Sequence, residues 1–108
     1  MHILVVGDGK VGHTVAEQLT REGHDVVIID KNEDVLQRCE DTLDVLCIRG
    51  TGANARTLLD AGVEKADFVV AATASDETNM LCCLIAKRLG ARYTIARIRD
   101  PEYNESLS

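Results

Sequence analysis

Residues 7 to 12 read Gly-Asp-Gly-Lys-Val-Gly, a G-x-G-x-x-G turn between an apolar run, Ile3 to Val6, and a stretch of helical spacing. The chemistry open to such a turn is anion binding. Gly7 allows a tight turn, Gly9 lets a pyrophosphate approach the backbone, and Gly12 lets the following helix pack on the strand. Free N–H groups at the helix start and the positive end of its dipole then face the phosphates. Lys10 offers a direct charge contact, or else is a solvated lysine in a first turn. Eighteen positions after Gly12, Asp30 closes a second apolar run. A carboxylate there accepts both ribose hydroxyls of an adenosine half and repels a 2′-phosphate, which favours NAD over NADP. A capping aspartate is the plainer alternative. Asp8 puts an acid near the phosphates, and the spacing gives it no role.

These groups converge only if the chain builds a sheet beneath them. The pattern alternates: strand Ile3–Val6; helix Lys10 to Arg21, with Val11, Val15, Ala16 and Leu19 on one stripe and Gly23 as its stop; strand Val26–Asp30; helix Glu33 to Asp41. It continues with strand Val45–Ile48, helix Asn54 to Ala61, strand Phe68–Ala72, helix Glu77 to Leu89 capped by Ser75 or Asp76, strand Tyr93–Arg97, and a new element at Pro101. Right-handed crossovers of this length predict an α/β, Rossmann-like, doubly wound parallel sheet with helices on both faces. The expected strand order is 3-2-1-4-5, with a crevice between strands one and four.

Two further loops leave the same sheet edge. Arg49-Gly50-Thr51-Gly52-Ala53 suits an adenine edge, or is a helix-start loop that needs flexible glycines. Thr73 and Ala74, after strand four, are expected beside the ligand, with Asp76 a helix cap rather than a contact. Arg97, at the end of strand five, is in reach of a phosphate or is a surface arginine.

Composition narrows the class. The 108 residues suit one domain, and 45% apolar content with only 3% aromatics implies a Val, Ile, Leu and Ala core of the kind that parallel strands bury. The net charge of −6, with no basic stripe, argues against nucleic-acid binding. No apolar run is long enough to span a bilayer, so direct membrane insertion is not expected. Cys39, Cys47, Cys82 and Cys83 form no C-x-x-C pair and read as buried reduced thiols rather than a metal or redox site.

The stretches VVGDGKVG, VVIIDKNEDVL, RGTGANARTLLDAGVEKADFVVAATASDETNMLCCLIAKRLGA and IARIRDPEY together resemble the TrkA N-terminal (RCK/KTN) domain of the Trk potassium-uptake regulators. The resemblance covers nearly the whole chain, 1–108, and A-T-x-S-D-E-T-N followed by I-A-R-x-R-x-P is far more specific than the glycines. It implies a cytoplasmic regulatory subunit that binds NAD or NADH, or ADP or ATP. Such a subunit assembles into dimers and ring-like tetramers, lies at the inner face of the membrane through its partner, and gates an integral-membrane potassium transporter or channel. By position, the turn from Gly7 to Val11 would hold the pyrophosphate, Asp30 the ribose, Thr73 and Ala74 the crevice wall, and Arg97 the phosphates. The chain departs from the family at Thr51, where many members carry an acid, so this position has no carboxylate to offer adenine. The family's domain continues beyond position 108, with a final helix and strand expected there.

The alternative is the cofactor half of an NAD-dependent oxidoreductase. Hydride transfer needs a substrate pocket and a proton donor beside the nicotinamide. No Tyr-x-x-x-Lys occurs, His13 reads as solvated, and His2 and His24 lie near the opposite end of their strands, so no enzyme activity is expected. One surplus remains. From Met80 to Ala86 every residue is apolar, which surrounds a helix axis instead of forming one stripe. The excess needs cover, either from within the chain, from a second subunit, or from residues after Pro101.

Overall fold

A computed structural model describes residues 1–7 and 9–107; Asp8 lies outside the described residues. Five strands, β1 (His2–Val6), β2 (Asp25–Asp30), β3 (Leu46–Arg49), β4 (Phe68–Ala71) and β5 (Tyr93–Ala96), alternate with helices α1 (Lys10–Arg21), α2 (Glu33–Thr42), α3 (Ala55–Asp60) and α4 (Asp76–Arg88). Helix α5 (Pro101–Leu107) follows β5. The strands make one sheet in the order β3-β2-β1-β4-β5, every pairing parallel, as the alternation predicts.

The strands are short apolar runs because both faces of the sheet are covered. Ile3, Val5, Val26 and Ile28 point to one side and pack with Ala16 of α1 and Leu36 and Cys39 of α2. Leu4, Val6, Ile29, Val69 and Ala71 point to the other and pack with Leu58 of α3 and Cys82 and Ala86 of α4. The chain winds outward from β1 through β2 to β3, then crosses to β4 on the other flank of β1. That reversal leaves a split at the carboxyl ends of β1 and β4, where no crossover covers the sheet edge.

Local signals set the helix starts. Asn32 accepts from the Asp34 and Val35 N–H groups, Asn54 from Thr57 and Ser75 from Thr78, so α2, α3 and α4 each begin on a side-chain cap. Of the two caps considered for α4, Ser75 is the one used. The periodicity places Val11 on the buried stripe of α1, and here the structure differs. Val11 is 38% exposed, and Gly12 and Ala16 are the buried positions, flanked by Val15 and Leu19. The stripe begins one residue later because the first turn lies so close to β1 that only a glycine fits beneath it. A 3-10 turn, Val63–Lys65, also stands where a plain loop was expected, and it buries Val63 completely. Strand β3 sits one residue further along than the apolar run suggests, and β1 and β2 each start one residue earlier. The four cysteines are reduced thiols, Cys39 and Cys82 buried and Cys47 and Cys83 half-buried; burial pushes the Cys82 thiol up to about 12.

The constraint at Gly12 is severe. A Cβ there would stand 1.7 Å from the Gly7 carbonyl oxygen, a backbone atom that cannot rotate aside. Gly12→Ala should lower the unfolding free energy by more than about 2 kcal/mol, the range of a core overpacking that forces backbone movement. Urea unfolding followed by far-ultraviolet circular dichroism measures it, and an unchanged midpoint and slope would show that the turn yields.

Candidate functional site

The split in the sheet is a cleft of about 390 Å³, within the range of small-molecule sites. Its walls include Gly7, Gly9, Lys10, Asp30, Thr51, Thr73, Ala74 and Arg97. Five separate loops supply these residues, and the parallel sheet brings all five to one edge. Val11 and Gly12 do not line the cleft: the Val11 side chain is exposed, and Gly12 is buried on the inner face of the first turn of α1. Lys31, Ser75 and Thr78 line it as well. Lys31 follows Asp30 directly, and Ser75 and Thr78 belong to the first turn of the helix after β4, so both were within reach of the sequence.

The centre of the cleft is the glycine turn. Gly7 carries the β1 ladder one step further by donating its N–H to Ile29 O at 2.7 Å, then turns with φ +94°. Helix α1 starts at Gly9, which brings no side chain to cap it, and its first turn holds no acid. The other three sheet-covering helices have their first donors taken by Asn32, Asn54 and Ser75. The orphan N–H groups of α1 and its dipole therefore present positive potential to the cleft. A Cβ on Gly9 would meet nothing within 4 Å, and its φ of −74° suits any residue. Nothing in the protein's own packing demands glycine there; an object in the cleft would. Lys10, Lys31 and Arg97 add three cations to this wall in a chain whose net charge is −6.

Asp30 stands at the carboxyl end of β2. Its Oδ1 accepts the Asn32 N–H at 2.8 Å, and its carbonyl accepts the Gly50 N–H at 2.9 Å, which ties the β3 loop to the β2 end. Asp30 thus both closes a turn into α2 and borders the cleft. The Thr51 hydroxyl accepts from Ala53 N at 3.2 Å and shapes the loop at the same flank.

On the opposite flank, the key residue is the asparagine that ends the A-T-x-S-D-E-T-N stretch, to which the sequence reading gives no role. Asn79 is completely buried in the first turns of α4. Its Oδ1 accepts from Thr73 N at 2.9 Å and from Thr73 Oγ1 at 2.6 Å, and its Nδ2 donates to Thr73 O at 3.0 Å and Arg97 O at 2.9 Å. Its spacing with Cys82 and Ala86 is the signal that it faces inward. Asp76 also differs from its expected role. It does not cap α4; its carboxylate accepts from Arg99 N at 2.9 Å and Asp100 N at 2.8 Å. The Arg99 N–H bond foremost, with the Asp100 N–H and the Arg99 and Arg97 charges, holds its carboxyl below the ordinary 3.8 against the opposing effect of desolvation. Asp76 therefore fastens the segment that leads from β5 into α5.

The titratable side chains on the cleft wall are Lys10, Asp30, Lys31 and Arg97. Among the described residues, no His, Cys or Tyr lines the cleft. His13 borders a separate groove between α1 and α2, and Tyr93 stacks on Phe68 with ring centroids 5.3 Å apart.

Comparison with known proteins agrees with this geometry. The TrkA-N domain family model matches residues 3–108. The chain is 45% identical over 103 residues to a Trk system potassium uptake protein TrkA homolog of Archaeoglobus fulgidus, covering 95% of this chain and 23% of that protein. It is 37% identical over 107 residues to a TrkA homolog of Methanothermobacter thermautotrophicus, covering 99% of this chain and 50% of that protein. The chain thus spans between about a quarter and half of the length of these relatives. Among solved structures, the GsuK channel bound to NAD superposes with a TM-score of 0.84 at 26% identity, over 98% of this chain and 19% of that one. The chain belongs to the TrkA-N domain family.

The Asp76 clamp has a pH signature. Because its folded-state pKa is depressed, the stability it supplies is present above the ordinary carboxylate value and is lost as pH falls through the folded one. Asp76→Asn keeps one acceptor but sets an amide N–H against a backbone N–H. The variant should be less stable than the parent at neutral pH, and the gap should narrow as acid protonates the parent's Asp76. Thermal unfolding across that range checks this; a gap that persists undiminished in acid would remove the clamp.

Proposed function

We propose that this chain is the nucleotide-binding regulatory domain of a potassium-uptake system. It takes NAD or NADH, or ADP or ATP through the adenosine half that they share, and gates an integral-membrane transporter or channel subunit through a ligand-dependent change of shape. The observation that carries this reading is the cleft itself: an uncapped helix N-terminus and Lys10 at its centre, the Asp30 carboxylate with Lys31 at the end of β2 on one flank, and Arg97 at the end of β5 on the other. In this reading the pyrophosphate lies on the turn from Gly7 to Val11, including Asp8 and Gly12 in its frame. The ribose lies on Asp30, adenine beside Thr51, and the distal half beside Thr73, Ala74 and Arg97. The TrkA relatives support the potassium-transport role, and the NAD-bound GsuK channel supports the dinucleotide.

The domain works as a regulator rather than an oxidoreductase. Hydride chemistry needs a proton donor placed beside the carbon that accepts the hydride, and in this reading the titratable lining groups Lys10, Asp30 and Lys31 serve the phosphate and ribose instead. No helix among the described residues is long and apolar enough to cross a membrane; in this reading the domain acts at the cytoplasmic face through its partner. It assembles as a homo-oligomer, a dimer or a tetrameric ring. On α4, Cys82 and Ala86 face the core while Leu81 and Leu84 stand 44% and 58% exposed, and this supports burial of that outer face between subunits.

Calorimetric titration with NAD, NADH, ADP and ATP tests the site. The parent chain should bind at least one of them, and NAD in preference to NADP. Asp30→Ala should weaken binding by about 1–3 kcal/mol, the usual consequence of leaving buried polar groups unpaired. Gly9→Ala should weaken it also, by filling the space that the pyrophosphate needs, while changing stability by no more than about 1 kcal/mol. Binding of none of the four nucleotides would sink the reading.

Light scattering tests the assembly. The parent should be a dimer or larger at micromolar concentration, and Leu84→Glu should yield a monomer with its nucleotide affinity kept. A monodisperse monomeric parent rejects the oligomer.

A further inference from the structure

We propose that Asn79 is a positioning residue for the distal half of the cleft, and that it adds affinity for a ligand that reaches this half, a dinucleotide, over one that stops at the glycine turn. The proposal rests on the nucleotide reading above and adds to it the residue that holds the second half of the ligand.

The sheet order divides the cleft. Asp30 ends β2 on one flank of β1, Thr73 follows β4 on the other, and Arg97 lies beyond it after β5. The glycine turn after β1 stands between the two flanks. A mononucleotide such as AMP needs the Asp30 flank for its adenosine and the turn for its phosphate. A dinucleotide continues across the switch point onto the Thr73 and Arg97 flank.

That distal flank consists of two loops whose last backbone bond is Arg97 N–H to Ala71 O at 2.9 Å, at the end of the β4–β5 ladder. Asn79 joins them. An asparagine side chain offers one carbonyl oxygen and two N–H donors, and here the oxygen takes two donors from Thr73 while the nitrogen reaches two carbonyls, one on each loop. The Thr73 N–H identifies the oxygen, because only an acceptor can face it. No other side chain of similar size brings an acceptor and two donors to those four groups. The side chain is fully buried, so its removal leaves buried backbone groups without the partner that fixes their spacing. The link also reaches the glycine turn. A Cβ at Gly7 would lie 2.9 Å from Thr73 N, so the turn and the β4 loop are already in backbone contact. The Asp30 flank has its own bonds, from Asn32 N and Gly50 N, and shares none of them with Asn79.

A purely structural asparagine and a positioning one differ in what they do to the two ligands. Loss of general stability weakens NAD and AMP alike, or neither, in the folded protein. Loss of the distal wall weakens NAD alone. Titration of the whole chain with NAD and with AMP, well below the unfolding temperature, separates the cases. Asn79→Ala should raise the Kd for NAD by about tenfold and that for AMP by less than about threefold, so that the preference falls by the ratio. Asn79→Asp is the second variant. It keeps the shape and the acceptor toward Thr73, but sets an oxygen against the carbonyls of Thr73 and Arg97, and it should lower the same preference. An unchanged ratio of the two affinities in a folded variant overturns the proposal and leaves the nucleotide site standing. Failure of both variants to fold overturns it too, in favour of a structural role. A parent chain that binds none of NAD, NADH, ADP and ATP overturns the nucleotide reading and this proposal with it, and one that binds a mononucleotide but no dinucleotide overturns this proposal alone.

Discussion

The first turn of α1 lies directly against the glycine turn, and everything at the carboxyl edge of the sheet depends on that contact. With no side chain at Gly12 the helix can seat its N-terminus over the end of β1. Its orphan N–H groups then point into the split between β1 and β4 instead of toward solvent. A helix displaced outward by one methyl group would carry those donors and Lys10 away from the cleft. The same contact explains why α1 begins on a residue with no capping side chain. A cap that accepted the first N–H groups would consume the donors that make the site attractive to an anion.

Electrostatics at this edge run against the charge of the whole chain. A net charge of −6 repels anions at long range, but that repulsion is screened by salt within about 8–10 Å. Inside the cleft the local groups decide: the α1 terminus and Lys10 stand at the centre, Asp30 with Lys31 on the flank toward β3, and Arg97 on the far flank after β5. This separation matches a ligand that is anionic in its middle and carries neutral hydroxyls at one end. Acids elsewhere are used up locally. Glu33 meets Arg49 at 3.5 Å, and Asp76 is engaged by two backbone amides.

The sheet order, the crossovers and the two signature positions at Gly7 and Asp30 were legible because they rest on short-range rules: apolar runs of strand length, helix stops at glycine, and the fixed hand of the crossover. What the sequence hid was long-range. Val11 looks like a stripe residue by spacing alone, and only the depth of α1 against β1 shows that the stripe starts at Gly12. Asp76 has the type and the place of a helix cap, yet Ser75 takes that role. The Asp76 carboxylate turns to amides more than twenty residues away, a pairing that no local pattern encodes. Asn79 is the clearest case. A polar residue at the inward spacing of an apolar helix demands partners, but those partners, Thr73 and Arg97, are set by tertiary folding. The apolar run from Met80 to Ala86 was read as surrounding the axis. In the structure Cys82 and Ala86 face the core, Cys83 and Ile85 are partly packed, and Leu81 and Leu84 are left facing out.

Helix α4 emerges as the element that serves both the cleft and what lies beyond it. Within one turn it offers Ser75 and Thr78 to the cleft wall, Asp76 to the backbone before α5, and Asn79 to the loops after β4 and β5. Glu77 adds a side-chain hydrogen bond to Tyr103 of α5, which raises the tyrosine pKa. A buried polar network of this kind is favourable only when every member is satisfied, and among the described residues no buried side-chain polar atom lacks a partner. The loops beside the cleft and the start of α5 are therefore held in one arrangement by the same turn of helix. A ligand that pushed Thr73 or Arg97 outward would strain bonds anchored on α4, and the next bonds along that helix lead to α5. The geometry thus joins the cleft to the segment after β5 through Asn79, bonded to the Thr73 and Arg97 carbonyls, and Asp76, bonded to the Arg99 and Asp100 amides.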